Sequence, residues 1–257
     1  LPASKASLRD LLESKVEEYN QPDFIDTDPI VVPHAFSKKQ DKEISGLFAA
    51  TLAWGQRITI INKSLELMQM MGNAPHEFIM FHSDNDLYSL RHFKHRTFNY
   101  TDLLYFIHFL RKVYQSSESL EQFFLPLSGE TTVKTGIMRF HEFFVNDGFF
   151  PARTAKHVAS PARNSACKRL NMYLRWMVRS DGKGVDFGIW KKIGANQLIC
   201  PCDVHVEKVA RSLGLISRKQ VDWKMAEELT ENLRQFDPDD PAKYDFALFG
   251  MGLNKTI

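Results

Sequence analysis

An all-α fold is what this sequence predicts, and two observations carry the prediction. Apolar residues recur at three- and four-residue intervals along most of the chain. No segment sustains the period-two alternation, bounded by hairpin turns, that half-buried strands need. The 13 Gly and 11 Pro among 257 residues are also too few for a disordered or collagenous chain.

The helices follow in order. Leu8, Leu11, Leu12, Val16 and Tyr19 form one stripe, with Ser7 the expected N-cap and Asp10 in capping-box position. Asp41 is the expected cap of a second helix, striped by Ile44, Leu47, Phe48 and Leu52. Gly55 interrupts it, and Ile58, Ile61, Leu65, Leu67 and Met68 lead to a stop at Gly72–Asn73. Further stripes run through Leu103, Phe106, Ile107, Leu110 and Tyr114, and through Val133, Ile137, Phe140 and Phe144. The last two are Val204, Val206, Val209, Leu213 and Tyr244, Ala247, Leu248, Met251. Segments 20–40, 82–100, 147–164 and 180–202 are rich in Pro, Gly, Asp, Ser or Asn and read as connections. The 20 Phe, at helical spacing, read mainly as core.

The length suits one large domain or two packed lobes. The longest nearly uncharged apolar stretch, Ile44 to Gly55, is too short to span a bilayer. No basic-then-apolar segment opens the sequence, so no secretory leader and no membrane association are expected. Cys167, Cys200 and Cys202 can neither pair completely nor supply a four-thiolate iron–sulfur site alone. A soluble protein of the reducing cytoplasm is expected.

The net charge of +2 hides an asymmetry. Residues 151–180 hold Arg153, Lys156, Arg163, Lys168, Arg169, Arg175 and Arg179 and no carboxylate, while the rest of the chain is net acidic. Such a patch predicts a localised anionic partner. On a helix from Ser165 to Arg179, Leu170, Tyr173, Leu174, Met177 and Val178 gather on one side, and Lys168, Met172, Arg175 and Arg179 on the other. Like charges without carboxylates for i,i+4 pairing suit phosphates as partners. The turn before it, Ser160-Pro-Ala-Arg163-Asn164-Ser165, offers backbone N–H groups for a phosphate, although it lacks the usual glycines.

The second informative segment runs from Cys200 to Leu215. Asp203 precedes an apolar helical stripe, so it caps the helix and is held rigidly there. His205 fits an interfacial polar position, a ligand or a phosphate contact, and no second His at ligand spacing supports a metal site. The two nearby cysteines read as small buried residues. Lys168 and Asp203 suit attack at the C1′ carbon of a nucleoside. Arg169, Arg175 and partial burial favour the neutral amine, and the carboxylate stabilises an oxocarbenium-like transition state.

These residues carry a resemblance. Pro201-Cys-Asp203-Val-His205-Val, followed by Arg211 and Leu213-Gly-Leu215, resembles the Val-Asp-Thr-His-Val…Arg…Leu-Gly-Leu segment of helix–hairpin–helix DNA glycosylases, the superfamily of endonuclease III. Phe48-Ala-Ala-Thr-Leu-Ala-Trp54-Gly-Gln56-Arg, with Ile61-Asn62-Lys63 after it, is similar to that superfamily's early helix pair. The resemblance makes Asp203 the catalytic carboxylate, Lys168 the Schiff-base lysine and Gln56 the residue that approaches a lesion. The hairpin Leu-Pro-Gly-Val-Gly is replaced by Ser160-Pro-Ala-Arg-Asn, and the segment between Lys168 and Asp203 is longer than in endonuclease III. Both departures resemble the archaeal 8-oxoguanine glycosylase branch. There an Asp and a Trp four residues apart contact the base, as Asp245 and Phe249 are spaced here. As a whole the chain resembles an uncharacterised bacterial family of conserved hypothetical proteins.

The resemblance implies a two-lobed helical glycosylase fold with an atypical helix–hairpin–helix. Residues 41–168 would form a helical-barrel-like lobe ending in the hairpin, and 1–40 plus 169–257 a second lobe built from both chain ends. The implied activity is a bifunctional glycosylase and abasic-site lyase acting on a damaged purine such as 8-oxoguanine. Asp245, Phe249, Trp54 and Gln56 would line the base pocket or sense the lesion. Arg163, Asn164, Ser165, Arg169, Arg175, Arg179 and His205 would hold phosphates of double-stranded DNA. A nucleoid-associated monomer without metal, iron–sulfur cluster or other cofactor is expected. Two other readings stay open from sequence: a non-catalytic DNA-binding protein that keeps the fold, and a scaffold whose basic face meets an acidic protein.

Overall fold

The computed structural model describes residues 5–254, and the all-α prediction holds. The α-helices are α1 (Lys5–Tyr19), α2 (Asp23–Thr27), α3 (Val31–His34), α4 (Lys39–Leu52), α5 (Arg57–Met70), α6 (Pro75–Phe81) and α7 (Asp84–Ser89). They continue with α8 (Tyr100–Ser116), α9 (Glu121–Phe124), α10 (Lys134–Val145), α11 (Lys168–Val178), α12 (Val204–Ser212), α13 (Trp223–Arg234) and α14 (Tyr244–Leu253). Short 3₁₀ turns fill some of the gaps, and among the described residues the only β-pairing is the isolated bridge His95–Phe98.

Two caps differ from expectation. Ser7 lies inside α1, so it does not cap it. The helix α4 starts at Lys39, with Lys38 as N-cap and no capping side chain. Asp41 turns instead to a neighbour: its carboxylate accepts from the backbone N–H of His76 at 2.9 Å, in the uncapped first turn of α6. The helix α13 follows a signal that the stripes above omit. Asp222 caps it by accepting from Met225 N, and Met225, Ala226, Leu229 and Leu233 bury one face.

The chain divides into two compact units, and their limits differ from 41 and 168. One contains 25–125 and 136–159. Its core is largely aromatic: Phe106, Phe109 and Phe144 meet edge to face, with ring centres 4.8–5.6 Å apart for Phe109–Phe144 and Phe109–Phe140. Such pairs add about 0.5–1.5 kcal/mol each beyond the area they bury. The other unit contains 1–24, 126–135 and 160–257, and therefore holds Lys168 and Asp203 together. In it α14 packs against both α1 and α12. The sequence of α14 explains its central place. Tyr244, Phe246, Ala247, Leu248 and Met251 point around the helix and all are buried, which leaves Leu253 at its end exposed. Asp245 is the sole carboxylate in that helix.

Candidate active site around Lys168 and Asp203

Lys168 opens α11 after a strained turn. Asn164 (φ 57°) and Cys167 (φ 49°) both occupy the left-handed region, unusual for residues with a Cβ. Ser165 holds the second of them, its Oγ accepting from Cys167 N at 3.1 Å, and Asn171 donates to Ala166 O at 3.0 Å. The turn does not present its amides as a phosphate cradle. Arg163 N and Asn164 N donate to Ser160 O and Pro161 O, and Ala162 N to Ser160 Oγ. Arg163 and Asn164 remain exposed, and Ser165, Lys168 and Arg169 are half-buried. Lys168 Nζ lies 3.5 Å from Met172 Sδ and makes no ion pair among the described residues.

The cationic stripe of α11 is corrected by the structure. Arg175 and Arg179 are 3% and 2% exposed, so neither can hold phosphates at a surface. Arg179 donates to Asp240 at 2.8 Å, Asp181 at 2.7 Å and Asp186 at 3.1 Å. Arg175 pairs with Asp186 at 3.3 Å and with Asp245. The ring of Phe246 faces both guanidinium groups, at 4.2 Å from Arg175 and 5.4 Å from Arg179. The carboxylates missing from the helix come from the loop directly after it, which supplies Asp181 and Asp186, and from the distant 240–245 region, which supplies Asp240 and Asp245.

Four carboxylates face the two guanidiniums, and burial acts on two of them most. Burial, with Asp186 and Asp237 adding to it, raises the carboxyl of Asp240 above its ordinary range. Asp245 is pushed up to about 7, chiefly by burial, with Asp203 raising it further and Arg175 and Lys168 pulling it down. Asp245 therefore feels Lys168 and Asp203 at once, and the three share one electrostatic neighbourhood.

Asp203 is the N-cap of α12. Its Oδ1 accepts from His205 N at 2.9 Å and Val206 N at 3.0 Å. Both bonds use one oxygen, so Oδ2 is left without a protein partner among the described residues. The side chain is half-buried, fixed by its cap and open on its second oxygen. His205 sits where α12 crosses α14. A Cβ on Gly252 would stand 2.8 Å from His205 Cβ and 3.0 Å from its carbonyl oxygen, so the crossing needs glycine there. The imidazole meets the Phe249 ring edge-on at 6.2 Å, and its nitrogens make no hydrogen bond among the described residues. Cys200 and Cys202 are buried free thiols. Burial, helped by Asp203 and Asp245, pushes Cys202 up to about 12, which keeps it unreactive.

The structure thus gathers Lys168, Asp203, His205, Asp245 and Phe249 in one unit. Trp54 (37% exposed) and Gln56 (exposed) lie in the other, on the loop from α4 to α5, where Gln56 is the N-cap of α5. Sequence reasoning passed over Asp186 and Asp240, the partners of the buried arginines. It also passed over the run Arg91-His92-Phe93-Lys94-His95-Arg96, whose signal is five basic or imidazole side chains with no acid among them. Among the described residues no cluster of His, Cys, Asp and Glu is arranged to hold a metal ion, and no helix is long and apolar enough to cross a membrane.

Residues 28–254, most of the chain, match the family described as protein of unknown function (DUF2400). The chain belongs to that family. No curated protein and no solved structure matches it.

Proposed function

We propose that the protein is a DNA glycosylase and abasic-site lyase of the helix–hairpin–helix kind, excising a damaged purine such as 8-oxoguanine from double-stranded DNA. The observation that carries this reading is that an uncommitted lysine and a half-committed carboxylate both act on one buried acid. Among the described residues Lys168 Nζ has only a thioether within hydrogen-bond distance and Asp203 keeps Oδ2 open, and both act on buried Asp245.

In this reading the target nucleotide leaves the stack and enters the site. The amine of Lys168 attacks C1′ as the bond from C1′ to the purine nitrogen breaks, and the purine departs with the amine's proton, relayed through Asp203. Asp203 Oδ2 lies beside the sugar, takes the proton released by the amine and stabilises the positive charge that develops at C1′. Ring opening gives a Schiff base on Lys168. Loss of a C2′ proton then expels the 3′ phosphate. Asp245, with an acidity near neutrality, holds a proton within the same field. Phe249 offers an aromatic face beside His205. Arg163, Asn164, Ser165, Arg169 and His205 are the proposed phosphate contacts that remain after Arg175 and Arg179 are assigned to the buried network. DNA as the partner would place the protein with the nucleoid.

Single-turnover cleavage of oligonucleotides carrying one 8-oxoguanine or one abasic site tests the reading. Lys168→Ala should abolish strand cleavage with DNA binding retained, and Asp203→Asn should slow excision by about 10²–10⁴-fold. Equal activity in wild type and both variants would contradict it.

A further inference from the structure

The unit of residues 25–125 and 136–159 contains a cleft of about 440 Å³ lined by Gln56, Thr59, Lys63, Lys94, His95 and Arg96. No carboxylate is among the lining residues. A neighbouring cleft of about 400 Å³ shares Lys94 and adds Arg91 and His92. The cations therefore line a strip, longer than one phosphate requires. Lys63 is balanced by Glu66 at 2.6 Å. Lys94 and Arg96 are exposed and make no ion pair among the described residues.

Arg96 is also held in place. It sits at the tip of a two-residue turn closed by His95 N to Phe98 O and Phe98 N to His95 O, both 2.9 Å, with φ 53°. Its guanidinium lies over the exposed Trp54 ring at 5.4 Å. It also packs on Gly55, where an added Cβ would stand 2.7 Å from Arg96 Nε and where φ is +116°. His95 Nε2, 3.2 Å from Trp54 O, ties the turn to the α4–α5 loop. Burial is the main cause that keeps His95 below the ordinary imidazole range, with Arg96 and Lys63 adding to it, so the cations converge on this point. A non-glycine residue kept in a strained conformation by its surroundings is the mark of a positioned group rather than a loose surface charge.

The geometry points to a second DNA-backbone site here: Lys94 and Arg96 hold successive phosphates of one strand, with Gln56 and Trp54 facing its bases. Gln56 caps α5 without a side-chain cap bond, so its amide is uncommitted. An exposed aromatic ring and an amide beside paired cations suit nucleic acid better than a free anion. This inference rests on the nucleic-acid part of the proposed function and not on the chemistry of Lys168.

The test is affinity for a labelled duplex bearing an uncleavable abasic-site analogue, measured from 50 to 300 mM salt. Lys94→Gln/Arg96→Gly should weaken binding at least tenfold and lower the slope of log K against log salt by about 2, since each lost phosphate contact removes about 0.9. Lys94→Gln alone, a change at an exposed side chain without an ion-pair partner, should lower it by about 1 with an unchanged circular dichroism spectrum. On a duplex with a natural abasic site and at saturating protein, the double variant should still form the borohydride-trapped adduct that Lys168→Ala loses, which separates this site from the catalytic one. Unchanged affinity and slope would overturn the inference, as would a wild type that binds no DNA. Millimolar inorganic phosphate competing equally with wild type and the double variant supports the strand reading. A site that takes inorganic phosphate but not DNA would overturn it.

Discussion

At the scale of single residues, Asp203 does two things that substitution can separate. Asn accepts the same cap bonds, whereas Ala cannot. Asp203→Ala should therefore cost about 1 kcal/mol of stability in urea unfolding, and Asp203→Asn only a few tenths. If both variants are equally stable and equally inactive, the cap is not what positions the carboxylate. Asn164 makes a related point. Its left-handed backbone tolerates Asn, but a β-branched side chain there should cost about 1–2 kcal/mol, so Asn164→Val is expected to destabilise the exposed turn that leads to Lys168. Thermal melts of the variant and of Asn164→Gly check this, with Gly at least as stable as wild type. Lys168 itself is set by what surrounds it: a strained residue before it, a thioether beside it and no ion-paired carboxylate among the described residues.

At the scale of elements, α11 shows what local sequence can and cannot disclose. Its apolar face was legible because helical periodicity is a property of neighbours in sequence. Its cationic face was not, because the partners of Arg175 and Arg179 lie at separations of up to 70 residues. The absence of carboxylates on the helix suggested phosphates, yet Asp181, Asp186, Asp240 and Asp245 supply the compensation from elsewhere. Removing one member of such a network leaves uncompensated buried charge, so Arg179→Ala should cost about 3–5 kcal/mol. Exposed Arg163→Ala should stay within about 0.5 kcal/mol. Equal costs in urea titration would contradict the assignment of the two arginines to different roles. The same reasoning covers the caps. Asp203 and its helix were readable because an N-cap acts two or three residues ahead. Asp41 was not, because its cap bond goes to His76 on another helix. The basic run at 91–96 needed no structure to be seen, only attention to a segment dismissed as a connection.

At the scale of the whole molecule, the concentration of positive charge in 151–180 changes its meaning. Arg153 pairs with Asp102 in one unit and Arg175 and Arg179 are buried in the other, so much of the charge is structural. Asp245 makes part of the stability depend on pH. Its folded acidity, near 7, lies above that of an unfolded Asp, about 4. The folded protein binds the extra proton between those values, so this group's contribution is full below about pH 4 and is lost as pH rises through about 7. Asp245→Asn should remove that dependence: the stability of the variant relative to wild type should increase from pH 4 to pH 7. A constant difference in urea midpoints across that range would show that Asp245 ionises normally. The proposed activity depends on Lys168 forming a covalent bond to DNA. Borohydride trapping on abasic-site and 8-oxoguanine duplexes, followed by mass spectrometry of the digested adduct, tests this most directly. The predicted result is an adduct on the peptide that contains Lys168, absent from Lys168→Ala. A protein that binds these duplexes but forms no adduct, or forms it on another lysine, would contradict the account.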